Sequence, residues 1–251
     1  MNFVHRGRGA PPLAFVHGFA CSHEDWREQL AFFAPAHEVV ACDLRGHGAT
    51  PGRRQECTIG HYGGDVAALL SHLDLQRCIL VGHSMGCRVV LEAARLDPER
   101  VAGLVLIDGS RLTAAAQQGV AGYAAFVEAF FRQMTADEAI VQRARRLPAA
   151  IGTALWQDLT RWDAGAMEAA LGALRAPLLV IQSTFLDAAG QRRSLAPGQS
   201  SPWLDFVRAT APAARIEIVS GAGHFVQLDA PAEVNRLVGE FLSAVTALNR
   251  R

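Results

Sequence analysis

The five residues Gly82-His83-Ser84-Met85-Gly86 carry the strongest chemical signal in the chain. They follow the apolar run Cys78–Val81 and open the helical pattern Met85–Leu96, so G-x-S-x-G stands between an expected strand and an expected helix. Such a turn must be very tight and must hold its serine above the strand end in a strained backbone conformation. Glycine at 82 and 86 removes side chains that would collide with the helix and the neighbouring strand. The helix start adds backbone N–H groups and a positive dipole end beside the serine oxygen. A chance Gly-Ser turn would lack these flanks, and Ser84 is therefore read as a nucleophile. A serine hydroxyl near neutral pH needs an imidazole to take its proton. His224 offers one, after the last expected strand, where Gly221 and Gly223 permit the turns that bring its ring back toward Ser84.

The elements needed to position these groups are legible as an alternation. Short apolar runs at Leu13–His17, Glu38–Cys42, Cys78–Gly82, Val101–Ile107, Leu178–Gln182 and Arg215–Ser220 predict strands buried on both faces. Helical patterns separate them at Trp26–Phe33, Ile59–Leu73, Met85–Leu96, Trp203–Thr210 and Pro231–Leu248. Ser201-Pro202 and Asp229 with Pro231 are start signals for the last two. This order predicts an α/β fold with a mostly parallel central sheet flanked by helices. Between Asp108 and Pro177 no strand signal occurs. Ala-rich helical stretches such as Tyr123–Phe131 and Asp137–Arg146 fill that interval. The expected division is a core of residues 1–109 and 177–251 with a helical cap inserted at 110–176.

The chain resembles the α/β-hydrolase superfamily. The resemblance rests on Phe15-Val16-His17-Gly18-Phe19, Asp43-Leu44-Arg45-Gly46-His47-Gly48, the Gly82–Gly86 turn and Gly221-Ala222-Gly223-His224, which run in the family's order over nearly the whole chain. It implies that the N–H groups of Phe19 and Met85 form an oxyanion hole, each worth about a hundred- to a thousand-fold in rate. It also implies that the Asp43–Gly48 turn supports the active-site loops. His17 reads as a hydrogen-bonded scaffold residue. A short N-terminus departs from the family and leaves little room for its opening hairpin.

Two aspartates compete for the acid that orients His224. The commonest family pattern places it in G-x-x-D after the strand that follows the insertion. Here Ser183 replaces the glycine and Asp187 comes one residue late. Some relatives, haloalkane and fluoroacetate dehalogenases among them, take the acid from the end of the preceding strand, which points to Asp108. Asp108 is favoured because its placement needs no shift in loop geometry, with Asp187 as the alternative. Asp205 is better explained by the first turn of a helix. Arg88, Arg111, Arg192 and Arg193 could hold a substrate carboxylate, but most arginines are solvated surface residues.

The chain's 251 residues, half of them hydrophobic, can build a sizeable core. Lys plus Arg equals Asp plus Glu at 24 each, so nothing suggests a nucleic-acid partner or an acidic membrane surface. The longest apolar runs are far too short to span a bilayer. Met1–Arg6 lacks a signal-peptide pattern, and five cysteines without a C-x-x-C pair fit a reducing cytoplasm. No metal-ligand spacing or dinucleotide loop is present, so no metal and no cofactor is expected. The resemblance and the residues together imply a serine hydrolase cleaving a carboxylic ester, or a lactone, of a small hydrophobic substrate. Tyr123, Phe126, Phe130, Trp156 and Trp162 are candidates to line the pocket from the cap. Perhydrolase or haloperoxidase-like, thioester and C–C bond hydrolysis are the rival reactions, and a ligand receptor on the same fold is the rival class. An aspartate nucleophile would be expected for dehalogenases and most epoxide hydrolases, so Ser84 counts against both.

Overall fold

Alternation along the strands sorts the apolar residues into two cores, one on each face of a single sheet. In the computed structural model, which describes residues 1–112, 122–187 and 189–248, seven strands pair in the order β1-β3-β2-β4-β5-β6-β9. They are β1 (Phe3–Arg6), β2 (Leu13–Val16), β3 (Val39–Cys42), β4 (Cys78–His83), β5 (Val101–Ile107), β6 (Leu178–Gln182) and β9 (Arg215–Ile218). All neighbours are parallel except β1, which runs antiparallel to β3. One face presents Val16, Leu80, Leu106 and Val180 to α2 (Ile59–His72), α3 (Met85–Leu96) and α8 (Pro202–Thr210). The other presents Phe15, Val81, Val105 and Ile181 to α1 (Arg27–Phe33) and α10 (Pro231–Leu248). α10 shows why it lies there: Val234, Leu237, Val238, Phe241, Leu242 and Val245 recur at helical spacing and are all buried. On the opposite face α8 begins as its sequence signals, with the Ser201 hydroxyl accepting from the Leu204 N–H at 3.3 Å and Pro202 in the first turn.

Three elements depart from the expectation. Phe3–Arg6 forms an edge strand although its residues are half exposed, because its backbone completes the hydrogen bonding of β3. β9 is half-buried along its length rather than buried on both faces, as befits the opposite edge. After β6 the chain forms a small antiparallel hairpin of β7 (Thr184–Leu186) and β8 (Arg192–Ser194), which no apolar run announces. Between β5 and β6 lie the helices α4 (Tyr123–Arg132), α5 (Glu138–Ala144), α6 (Ala149–Gly165) and α7 (Met167–Gly172). Residues 113–121 of the expected insertion lie outside the described residues.

Candidate active site

Parallel pairing brings the ends of β2, β4, β5 and β6 to one edge. Val16 is in register with Gly82, His83 with Ile107, and Ile107 with Ile181, so the loops beyond these residues leave the sheet side by side. Ser84 follows β4 with φ +54° and ψ −112°, a conformation costing about 1–3 kcal/mol that only its surroundings can hold. A Cβ at Gly82 would sit 2.3 Å from the Gly86 carbonyl oxygen, and one at Gly86 would sit 2.3 Å from that of Val16. Those contacts lock the turn between helix and neighbouring strand. Ala20 and Asp108, at the ends of the adjoining loops, also have positive φ, +56° and +46°. Strain therefore gathers where the three loops meet.

Asp108 and His224 meet directly. His224 Nδ1 lies 2.6 Å from Asp108 Oδ2, and both side chains are buried. A carboxylate oxygen only accepts, so Nδ1 carries the proton and Nε2 keeps a lone pair. Asp108 Oδ1 accepts from the backbone N–H groups of Ser183 and Thr184, at 2.8 and 2.7 Å, and the Thr184 hydroxyl donates to Oδ2. The Ser183 hydroxyl donates to the Ala222 carbonyl at 2.6 Å, tying the end of β6 to the His224 loop. His83 Nε2 donates to the His224 backbone oxygen at 2.9 Å, a contact the sequence analysis missed although His83 adjoins Ser84. Burial pushes the Asp108 carboxyl up, while Arg192 and the bonds from Thr184 and Ser183 pull it back. His224 sits well below its ordinary 6.5, first through burial and then through the charge of Arg192, so the ring stays neutral. Among the described residues no hydrogen bond joins Ser84 to His224.

The first strand's loop closes the other side. A Cβ on Gly18 would lie 3.2 Å from the Ser84 Cβ, so this backbone runs against the Ser84 turn. His17 holds the loop: Nδ1 donates to the Gly18 oxygen at 2.8 Å, and Nε2 accepts from the Leu44 N–H at 3.0 Å. Asp43 anchors the following turn through His23, Ala49 and Asn2. Phe19 and Met85 line one narrow cavity with Ser84, and neither N–H has an acceptor among the described residues. The cavity is small, with about 20 Å³ of free volume. From the helices it is lined by Phe130 of α4 and by Trp156 and Leu159 of α6. Trp156 meets Phe19 edge to face, at 5.6 Å between ring centroids. Tyr123, Phe126 and Trp162 do not reach this lining and pack within the helices.

The remaining candidates separate clearly. Asp187 accepts from the N–H groups of Ala189 and Gln191 and from Arg193 Nε at 2.9 Å, which turns its carboxylate into its own hairpin, away from His224. Asp205 is exposed and bonds to Ser200 and Arg208. Arg111 is exposed and lies over the Phe206 ring at 4.5 Å, and Arg193 is exposed. Arg88 and Arg192 are not solvated surface residues: their side chains are 3% and 5% exposed. Arg88 grips Asp163 of α6 through Nε and Nη2, both at 2.6 Å. Arg192 lines the cavity, and its Nη1 donates to Thr184 Oγ1 at 2.7 Å and to Asp108 Oδ2 at 3.3 Å. Burial alone could not have been read from either local sequence.

A parallel sheet with helices on both faces and a strained serine turn after its central strand is the α/β-hydrolase fold. The chain belongs to the alpha/beta hydrolase family, whose model matches residues 13–237. It is 31% identical over 94% of its length to a dihydrolipoyllysine-residue acetyltransferase component of an acetoin cleaving system from Pseudomonas putida, and spans 64% of that relative. A bifunctional esterase/perhydrolase from Acinetobacter calcoaceticus is 40% identical over 40% of the chain and 37% of its own length. Among solved structures, an N-acyl homoserine lactone degrading enzyme superposes with a TM-score of 0.75 at 22% identity, with 96% of each chain covered. No helix among the described residues is long and apolar enough to cross a membrane.

Proposed function

We propose that this hydrolase cleaves carboxylic esters, lactones included, of small substrates through an acyl-serine intermediate. The observation that carries the reading is the 2.6 Å bond between His224 Nδ1 and Asp108 Oδ2, which leaves Nε2 as the basic nitrogen. Ser84 Oγ attacks the ester carbonyl while His224 Nε2 takes its proton, and the N–H groups of Phe19 and Met85 receive the oxyanion. Collapse breaks the bond to the alcohol oxygen, and His224 returns the proton to that leaving group. Water then attacks the acyl-serine by the same route, releasing the acid and restoring Ser84. Asp108 keeps the ring in the required tautomer throughout. In ligand-free enzymes the bond between nucleophile and base is commonly long and tightens when substrate binds. Relatives named as an esterase/perhydrolase and a lactone degrading enzyme support the ester class. Residues 110–176 serve as a cap over the core of 1–109 and 177–251, bringing Phe130, Trp156 and Leu159 over the serine. Five free, buried cysteines fit a cytoplasmic setting.

The test is Ser84→Ala with p-nitrophenyl acetate as substrate. The variant should fold and lose about a million-fold in kcat, the order of loss when a triad serine is removed. A fluorophosphonate should label wild type at Ser84 alone. Full activity in the variant, or labelling elsewhere, would overturn the reading.

A further inference from the structure

A guanidinium offers two N–H groups on one edge, Nε and Nη2, in a fork that matches a carboxylate. Arg88 uses that edge on Asp163. Arg192, in the lining of the same cavity, spends only Nη1 on protein: Nε is buried without a partner, and Nη2 makes no hydrogen bond among the described residues. The only carboxylate it touches among the described residues, Asp108, already receives His224, Thr184 and Ser183. A buried cation with its strongest recognition edge empty is unfavourable by itself and becomes favourable when an anion arrives. We infer that Arg192 is a specificity-determining residue whose Nε/Nη2 edge binds a carboxylate carried by the ester substrate itself.

This rests on the ester-hydrolase reading and narrows it. The aromatic roof alone favours apolar acyl groups, whereas a cation in the wall beside Ser84 selects acyl groups that end in a carboxylate. The free space beside Ser84 is small, which selects for short chains, so half-esters of small dicarboxylic acids are the class proposed. A carboxylate on Arg192 would also offset the positive charge that now depresses His224, making the base stronger once the right substrate is in place.

The experiment compares monomethyl with dimethyl esters of malonic, succinic and glutaric acid, which differ within each pair by one charge. Wild type should favour the best monomethyl ester at least tenfold in kcat/KM. Arg192→Gln should bring that ratio down to about one or below, as expected for losing one partner of a buried charge pair, with Arg192→Lys in between. Calorimetry with glutarate should show binding to wild type that glutaramide does not reproduce and that Arg192→Gln loses. Dimethyl esters turned over as well as monomethyl ones, a ratio unchanged in Arg192→Gln, or equal binding of glutarate and glutaramide would each overturn the inference. If Arg192→Gln does not fold, the wild-type ratio and the two wild-type titrations decide. Loss of all turnover dependence on Ser84 would instead sink the hydrolase reading, while glutarate binding would still decide the role of Arg192.

Discussion

The floor and the roof of the cavity are held by different physics. On the floor, Ser84, Asp108 and the Gly18–Phe19 loop are fixed by backbone: strand register, positive φ and glycines with no room for a side chain. The roof, α4 and α6, is held by side chains: Phe126 and Phe130 stack at 5.3 Å, both meet Trp156 edge to face, and Arg88 clamps Asp163. Backbone geometry moves little when one side chain changes, whereas aromatic packing can be repacked by a single substitution. On the proposed reading, chemistry sits on the part that resists change, and selection for apolar acyl groups on the part that tolerates it.

The largest effect belongs to the floor. Asp108→Asn should cut kcat by about ten-thousand-fold with little change in KM, because an amide can present the wrong partner to Nδ1. Asp187→Asn, whose carboxylate is held by Gln191 and Arg193 of its own hairpin, should stay within about tenfold. The opposite ranking in steady-state kinetics would move the acid to the hairpin and dissolve the contrast.

The tie between floor and roof comes next. Asp163→Asn leaves Arg88 buried with its charge uncompensated, and should destabilise the protein by about 3–5 kcal/mol in urea unfolding. A loss below about 1 kcal/mol would mean that roof and floor are not coupled through this pair. The smallest effect is expected at the roof surface. Trp156→Ala removes the ring that meets Phe19, Phe126 and Phe130, and should shift the preferred acyl length with a change of roughly tenfold in kcat/KM between short and long esters. An equal fall for every chain length would show that the indole supports the chemistry rather than the selection.

Much of the fold was legible because it depends on short, continuous signals. β5, β6, α3 and α10 fall where their apolar patterns place them. The β7–β8 hairpin was not, since Thr184–Leu186 is too short and Arg192–Ser194 both short and polar. That omission also hid the burial of Arg192, which the hairpin carries into the cavity wall.

By itself the sequence determined the turn at Ser84, because Gly82 and Gly86 leave one local path between strand and helix, and it determined which residues face the two cores, because strands alternate and helices repeat. Tertiary structure alone decided which aspartate meets His224. Asp108 and His224 are 116 positions apart, and their contact depends on how β5, β6 and the loop after β9 come together. It likewise decided which arginines are buried, since a guanidinium's surroundings come from distant segments: Asp163 for Arg88, Asp108 for Arg192. Turns are made by neighbours in the chain, and charge pairs by neighbours in space.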